Sequence, residues 1–561
     1  MFEETAQIYG FALSPDGKSV ALTTRTGKRS LLSWVEVESG QWIKSMELPV
    51  AGQAVSWSPD GTMLVCSGER SSQASTDLLL ITENGAEVLL SQPGQHITWP
   101  TWNPEGTALA CACFHGPPRR DHPQIMTFQL ASRQLVQQTT GGGSLPQFTP
   151  CGRKLLFYRP PDLWVVDLVT RQEHRLTHHE KTLLYPRCCH GTKLLFEYGS
   201  YSIRQIGLLD LNSFHVEPLS AEDEDARGPS WSPEGEITYI ENQTSLVGLL
   251  PSGERLWSVA LPEPDGVEAY PYTAPQWAHQ GSRLVLLDTM RSRLWLFEKE
   301  PVPTFKQLVC FRSPSVAPLR AQRIQYADAT GRVIPALLFG PQGPADDKKA
   351  VIWVHGGPHS QTSLSDPSVR ALVDAGWLVL APDYQGSIGH GPIWEQLPPE
   401  QRGERDLLDV VSGHPYLVEH LGIPSHRIAI AGYSYGGYLA LLALTQYPSL
   451  WAAGASLWGI WDAREIQRMA APMKAVSRFS EAWLDARSPL AQIKQLQAPV
   501  LILHGAHDST STVQEVQSVK EQLTGLGRVC DVHVFADAGH GLPQYTHVCC
   551  ERLLCFLRQY C

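Results

Sequence analysis

Ser434 is the centre of Gly432-Tyr433-Ser434-Tyr435-Gly436, a G-x-S-x-G motif. The run before it, Arg427-Ile428-Ala429-Ile430-Ala431, has the apolar character of a buried strand, and Tyr438 to Leu444 reads as an apolar helix. Strand, sharp turn and helix together present a serine as a nucleophile, because the turn lifts Oγ clear of the sheet edge. A serine hydroxyl attacks only when a histidine takes its proton and a carboxylate orients that histidine. Both residue types follow in the order such a sheet requires. Val500 to Leu503 runs into His504-Gly505-Ala506-His507-Asp508, and Val532 to Phe535 runs into Asp537-Ala538-Gly539-His540-Gly541. Asp508 and His540 are the candidate acid and base; His504, His507 and Asp537 read as structural neighbours. Asp508 also has the chemistry of a helix N-cap, a duty Ser511 is expected to take instead. The reaction further needs amide donors where negative charge develops. The Tyr435 amide is one, and His355-Gly356-Gly357-Pro358-His359, directly after Val351 to Val354, is the loop that supplies another.

These residues need a sheet to bring them together. From Ala350 onward short apolar runs alternate with amphipathic helical segments, the signature of a largely parallel sheet covered on both faces. Strands are expected at 350–354, 377–381, 427–431, 452–457, 499–503 and 531–535. A hairpin, 322–326 and 333–339 about Asp328-Ala329-Thr330-Gly331, precedes them. Asp366 as N-cap, Pro367 in the first turn and Gly376 as the stop bound one helix; another runs from Ser511 to about Leu526.

The first half repeats itself. The phrases Leu13-Ser14-Pro15-Asp16-Gly17, Trp57-Ser58-Pro59-Asp60-Gly61, Trp102-Asn103-Pro104-Glu105-Gly106 and Phe148-Thr149-Pro150-Cys151-Gly152 recur in step. Trp231-Ser232-Pro233-Glu234-Gly235 and Trp277-Ala278-His279-Gln280-Gly281 continue them, and Arg187-Cys188-Cys189-His190-Gly191 is a degenerate copy. The seven glycines recur at a mean spacing of 44 residues, room for four short strands each. Proline presets the first corner and glycine takes positive φ at the last, so each phrase is a tight hairpin. The expected architecture is an N-terminal seven-bladed β-propeller over residues 1–310 and a C-terminal α/β-hydrolase domain over 311–561. The recurring tryptophan is expected to fill the gap between neighbouring blades.

Composition narrows the function. A net charge of −11 argues against nucleic acid or an anionic membrane as partner. No apolar run reaches the ~18 residues of a membrane span, and Met1-Phe2-Glu3-Glu4 does not open like a secretory signal, so a cytoplasmic protein is expected. The 12 cysteines lack paired C-x₂-C spacing, and neither a metal nor an organic cofactor is implied. Glu222-Asp223-Glu224-Asp225 and His178-His179 read as solvated surface. A homo-oligomer is compatible with all of this.

H-G-G-P at 355–358, G-Y-S-Y-G-G-Y at 432–438, H-G-x-x-D at 504–508 and G-H-G at 539–541, behind a propeller, resemble the prolyl oligopeptidase family over essentially the whole chain, and its acylaminoacyl-peptidase branch most closely. The resemblance implies Ser434 as nucleophile, Asp508 as acid and His540 as base, with the Gly357 and Tyr435 amides as the oxyanion hole. It implies a propeller that restricts entry to short peptides or blocked amino-acid derivatives and excludes folded proteins. Family members carry arginine two residues after the acid and within the loop here reading Pro382-Asp383-Tyr384-Gln385-Gly386-Ser387; this chain has Thr510 and Gln385 instead. Each exchange removes a charge-assisted donor, worth roughly 1.5–3 kcal/mol when buried. Trp458, Trp461, Phe479 and Trp483 are candidates for an apolar acyl pocket, with plain core as the competing assignment.

The expectation is a serine peptidase or amidase working through an acyl-enzyme. An esterase or thioesterase would use the same triad, and the missing arginines favour it. A dipeptidyl peptidase would need a free substrate amine and a carboxylate pair to receive it. A propeller interaction protein with an idle hydrolase is the reading from another class.

Overall fold

The computed structural model describes residues 7–26, 29–70, 75–115, 123–178, 183–200, 203–262, 274–278, 281–288, 292–300, 302–311, 319–340, 349–470, 479–508, 510–542 and 545–561. His179, His279 and Gln280 lie outside the described residues. The chain divides into two compact units, Met1–Ser315 and Val316–Cys561.

In the first unit the described residues form seven four-stranded antiparallel sheets, spanning 7–47, 51–90, 95–137, 144–175, 183–218, 226–260 and 276–310. The strands of each sheet neighbour one another in chain order, so every blade is a simple meander. The repeated phrase is the hairpin between the first and second strands. Gly17 donates to Ser14 O at 2.8 Å and Gly61 to Ser58 O at 2.9 Å, both with φ near +70°. Asp16 closes the first turn from the side, accepting from Ser14 Oγ at 2.6 Å and the Lys18 amide at 3.1 Å.

Tryptophan does join neighbouring blades, through its indole N–H as well as its bulk. Trp57 donates to Ala12 O of the preceding blade at 3.1 Å and Trp102 to Ser56 O at 3.2 Å. Trp277 donates to Thr238 Oγ1 at 2.9 Å. The core lies between sheets: Ala21, Leu32 and Trp34 of the first blade pack with Leu64, Cys66 and Leu79 of the second. The ring closes the same way, with Ile8, Val20 and Leu22 packed against Val285, Leu287 and Leu296 of the last blade. Gln276 bridges that seam, accepting from the Leu13 amide at 2.9 Å and donating to Phe11 O at 3.3 Å. The acidic stretch is partly internal bracing: Asp225 pairs with Arg227 at 2.8 Å and accepts the Arg204 amide at 3.0 Å.

The second unit is one eight-stranded sheet. We label its strands β1 (Ala321–Ala327), β2 (Val333–Phe339), β3 (Ala350–Val354), β4 (Leu378–Pro382), β5 (Ile428–Tyr433), β6 (Ala453–Leu457), β7 (Val500–Gly505) and β8 (Cys530–Phe535). Their order is β1-β2-β4-β3-β5-β6-β7-β8; β2 runs antiparallel to both neighbours and β3 to β8 are parallel. Residues 428–432 of β5 lie between β3 and β6 with every side chain buried, which explains the continuous apolar run. Helices α1 (Pro367–Asp374) and α5 (Thr546–Tyr560) cover one face, while α2 (Arg405–Val411), α3 (Tyr435–Gln446) and α4 (Val513–Gly525) cover the other.

Asp366 caps α1 as expected, accepting the Ser368 and Val369 amides at 2.8 and 3.1 Å. Its second oxygen accepts Trp353 Nε1 at 3.1 Å. The cap of α4 is Thr512 rather than Ser511. Thr512 Oγ1 accepts the Glu515 amide at 3.3 Å while the Glu515 carboxylate returns to the Thr512 amide at 3.0 Å, a reciprocal box that Ser511 is one residue too early to make.

Candidate active site

β5 ends at Tyr433 and α3 begins at Tyr435, leaving Ser434 alone to turn the chain. It does so at φ 54°, ψ −120°, a strained conformation for a residue with a side chain. The flanking glycines are steric necessities. A Cβ on Gly432 would lie 2.6 Å from both Gly436 O and Val354 O, and one on Gly436 would lie 2.0 Å from Val354 O. The Ser434 amide is tied to Leu457 O at 3.0 Å and its carbonyl accepts from Tyr438 at 3.0 Å, so backbone bonds hold the strained turn on both sides.

The carboxyl ends of β7 and β8 bring the other two side chains to it. His540 Nε2 lies 2.9 Å from Ser434 Oγ, and His540 Nδ1 lies 2.8 Å from Asp508 Oδ2. Asp508 Oδ1 accepts the Thr510 and Ser511 amides at 2.7 and 3.3 Å. These donors fix the carboxylate and leave its second oxygen to the imidazole. The Asp508 side chain is sealed from solvent and that of His540 is one-third exposed (32%), which suits a rigid acid and an accessible base. In the neutral imidazole these contacts correspond to Nδ1 donating to the carboxylate and Nε2 accepting from the serine.

The neighbouring groups behave as scaffolding. Buried His504, kept neutral by desolvation, donates from Nε2 to Ser511 O at 2.9 Å and anchors the loop that carries Asp508. His507 is exposed, and Asp537 takes the Tyr545 hydroxyl.

Two amides next to the serine turn have no acceptor among the described residues. One belongs to Tyr435 at the first position of α3, where the helix supplies no partner. The other is Gly357, at φ 129° in the loop after β3. That loop is close by: a Cβ on Gly356 would sit 3.2 Å from Ser434 Cβ. Buried His355 staples it, with Nδ1 2.7 Å from Gly356 O and Nε2 2.8 Å from Ser387 Oγ, and Tyr384 donates to His355 O at 3.0 Å.

Sequence reasoning missed the support beneath Tyr435. Its hydroxyl donates to Asp406 Oδ2 at 2.5 Å, and Asp406 is fully enclosed. Burial pushes that carboxyl up to about 6, against the pull of the Tyr435 hydroxyl and nearby amides. Only a continuous apolar helix is legible around Tyr435; its acidic partner, 29 residues upstream, leaves no local signal.

The two neutral substitutions differ in their surroundings. Gln385 is held in place, its amide bonded to Asp409 Oδ2 at 2.8 Å and its Nε2 to Gln396 O at 2.8 Å, with Arg332 Nη1 3.3 Å from Oε1. Arg332 pairs with buried Asp409, so the cation here comes from the β1–β2 turn. Thr510 contributes only its amide to Asp508.

The aromatic candidates separate. Trp461 is fully buried in the core beneath α3, which withdraws it from any pocket wall. Trp458 stays partly exposed and lies 6.0 Å from the Tyr433 ring. Phe479 and Trp483 stack at 3.8 Å, with the Arg487 guanidinium 4.3 Å from the Trp483 ring. Among the described residues no group of histidine, cysteine or carboxylate side chains is arranged to hold a metal, and no helix is long and apolar enough to cross a membrane.

Comparison with known proteins matches this architecture. The dipeptidyl aminopeptidase BIII of Pseudoxanthomonas mexicana is 26% identical over 211 residues, 35% of this chain and 30% of that protein. The acylamino-acid-releasing enzyme of Rattus norvegicus is 28% identical over 231 residues, 38% of this chain and 31% of its own length. The chain thus spans under a third of the length of these relatives. A puromycin-hydrolyzing peptidase of Mycobacterium tuberculosis superposes with a TM-score of 0.78 at 19% identity, covering 100% of this chain and 95% of that one, which extends the shared fold to the propeller. Residues 363–561, from the approach to α1 through the serine turn to the last helix, match the profile of the prolyl oligopeptidase family. The likeness to the prolyl oligopeptidase family is thus carried by residues 363–561 of the hydrolase unit.

Proposed function

We propose that this protein is a serine peptidase or amidase acting on short peptides or small acyl-amides. The observation that carries the reading is the unbroken path from Ser434 Oγ through His540 to Asp508, with bonds of 2.9 and 2.8 Å. His540 Nε2 takes the Ser434 proton as Oγ attacks the substrate carbonyl, and the resulting oxyanion is received by the Tyr435 and Gly357 amides. The imidazolium then gives its proton to the leaving amine, the C–N bond breaks and an acyl-enzyme remains. Water, deprotonated by the same histidine, releases the acid and restores the serine. Asp508 stays ionised throughout and stabilises the imidazolium.

Ser434→Ala is expected to lower kcat by about 10⁴-fold or more and to abolish labelling by a fluorophosphonate probe. Retention of wild-type turnover by the variant on every accepted substrate overturns the assignment. The propeller is expected to limit size, so a short blocked peptide anilide is cleaved and a folded protein carrying the same sequence is not.

One observation favours an esterase as the second reading: Gln385 and Thr510 bring no cation to the carboxylate end of the sheet. Turnover of matched nitrophenyl esters and nitroanilides separates the two. Measurable anilide cleavage supports the amidase, and ester cleavage alone supports the esterase.

A further inference from the structure

Arg402 sits in the stretch leading to α2, half-buried, and its guanidinium has no hydrogen-bond or ion-pair partner among the described residues. Its Nε is wholly removed from solvent with nothing to donate to. An unpaired buried donor on a charged group is costly, so a fold retains one where a partner arrives from outside. Other half-buried arginines of this unit are answered: Arg332 by Asp409 and Asp328, Arg464 by Asp462, Glu481 and Asp485, and Arg487 by Glu404. The acids flanking Arg402 are committed as well, Glu404 to Arg487 and Asp406 to the Tyr435 hydroxyl.

Its surroundings place it near the serine turn and the loop after β3. Gly403, the next residue, packs so tightly on Tyr438 of α3 that a Cβ there would lie 2.2 Å from the hydroxyl. The charge of Arg402 acts on Tyr435, directly after the nucleophile, and on His359, two residues after Gly357. Burial and then Arg402 hold His359 below its ordinary value, so that ring stays neutral and does not compete for an anion. The Arg402 carbonyl accepts Arg487 Nε at 3.1 Å, and Arg487 lies on the Trp483 ring that stacks with Phe479. A chain of contacts thus joins an aromatic pair to an unanswered cation.

We propose that Arg402 is the specificity-determining residue of this site and receives a carboxylate carried on the acyl portion of the substrate. The inference rests on the serine hydrolase reading above. Gln385 and Thr510 carry no charge, Arg487 is committed to Glu404 and Arg332 to Asp409, and a guanidinium binds a carboxylate through paired donors. The chemistry fits an acidic amino-acid side chain next to the scissile bond, and equally a dicarboxylic acyl group.

The test is a selectivity ratio. For purified full-length protein, kcat/KM is measured on N-acetyl-glutamyl and N-acetyl-glutaminyl nitroanilides, and on glutaryl and butyryl nitrophenyl esters. Wild type is expected to favour the charged member of at least one pair by about tenfold to a hundredfold. A preference in the first pair alone identifies a side chain, and in the second alone a blocking group. Arg402→Met is expected to erase the ratio, Arg402→Lys to keep part of it, and Arg402→Glu to invert it. An equal ratio in wild type and Arg402→Met overturns the proposal. Should the variants not fold, inhibition of wild type by N-acetyl-glutamate against N-acetyl-glutamine decides: tighter binding of the charged compound supports it, equal binding refutes it. Labelling of Ser434 by a neutral fluorophosphonate is followed alongside, so failure of the hydrolase reading is told apart from failure of this one.

Discussion

At the scale of single residues, the site combines a strained serine, an accessible histidine and two buried acids in different surroundings. Asp508 receives two amides and faces the imidazole, whereas Asp406, enclosed beneath Tyr435, is pushed up to about 6. A carboxyl raised in the folded state binds its proton more tightly there than in the unfolded chain. Its contribution to stability is therefore present below about pH 4 and lost as pH rises through about 6. Asp406→Asn is expected to remove that component. Chemical denaturation at several pH values should show the variant gaining on wild type between about pH 4 and 6, by up to roughly 1.4 kcal/mol per pH unit. A constant difference across that range would show that Asp406 does not titrate there.

At the scale of elements, the turn between β5 and α3 works because three backbones converge on it. Val354 O and His355 O of the β3 end stand where a Gly436 side chain would go, at 2.0 and 2.4 Å from its Cβ. These are backbone atoms, which cannot rotate aside. Gly436→Ala is accordingly expected to cost about 3 kcal/mol or more and to lose fluorophosphonate labelling even in the protein that remains folded. Thermal unfolding and labelling measured together check this, and unchanged labelling would mean that the turn has more room than the packing indicates. The loop after β3 thus has two duties, shaping the serine turn and presenting the Gly357 amide to it.

At the scale of the whole molecule, two units are built on different principles. The hydrolase sheet is continuous, with two buried faces and helices on each. The propeller is seven separate sheets joined by side chains, and no strand pairing among the described residues crosses from the last blade to the first. Its seam is held by apolar packing and by Gln276. Gln276→Ala is expected to destabilise that seam by about 1–3 kcal/mol. Hydrogen exchange should show faster opening of strands 7–13 and 283–288 with little change in β5 and β7. Uniform acceleration through both units would show instead that the propeller opens as a whole.

Much of this was legible in the chain itself. The seven-fold period follows from proline and glycine at fixed offsets, because those residues restrict φ wherever they stand. The serine turn follows from glycines that sterics demand on both sides of Ser434, and the order Ser434, Asp508, His540 from apolar runs that must be parallel strands of one sheet. Local rules reach that far because each concerns residues close along the backbone. The remainder depends on distance in space. Ser511 and Thr512 are equivalent by composition, and only reciprocal bonding with Glu515 selects Thr512 as the cap. Trp461 and Trp483 look alike as letters, yet one is sealed beneath α3 while the other stacks on Phe479 at the surface. The Tyr435–Asp406 bond and the unanswered charge of Arg402 were invisible, because whether a polar group has a partner is decided by which distant elements the fold packs against it.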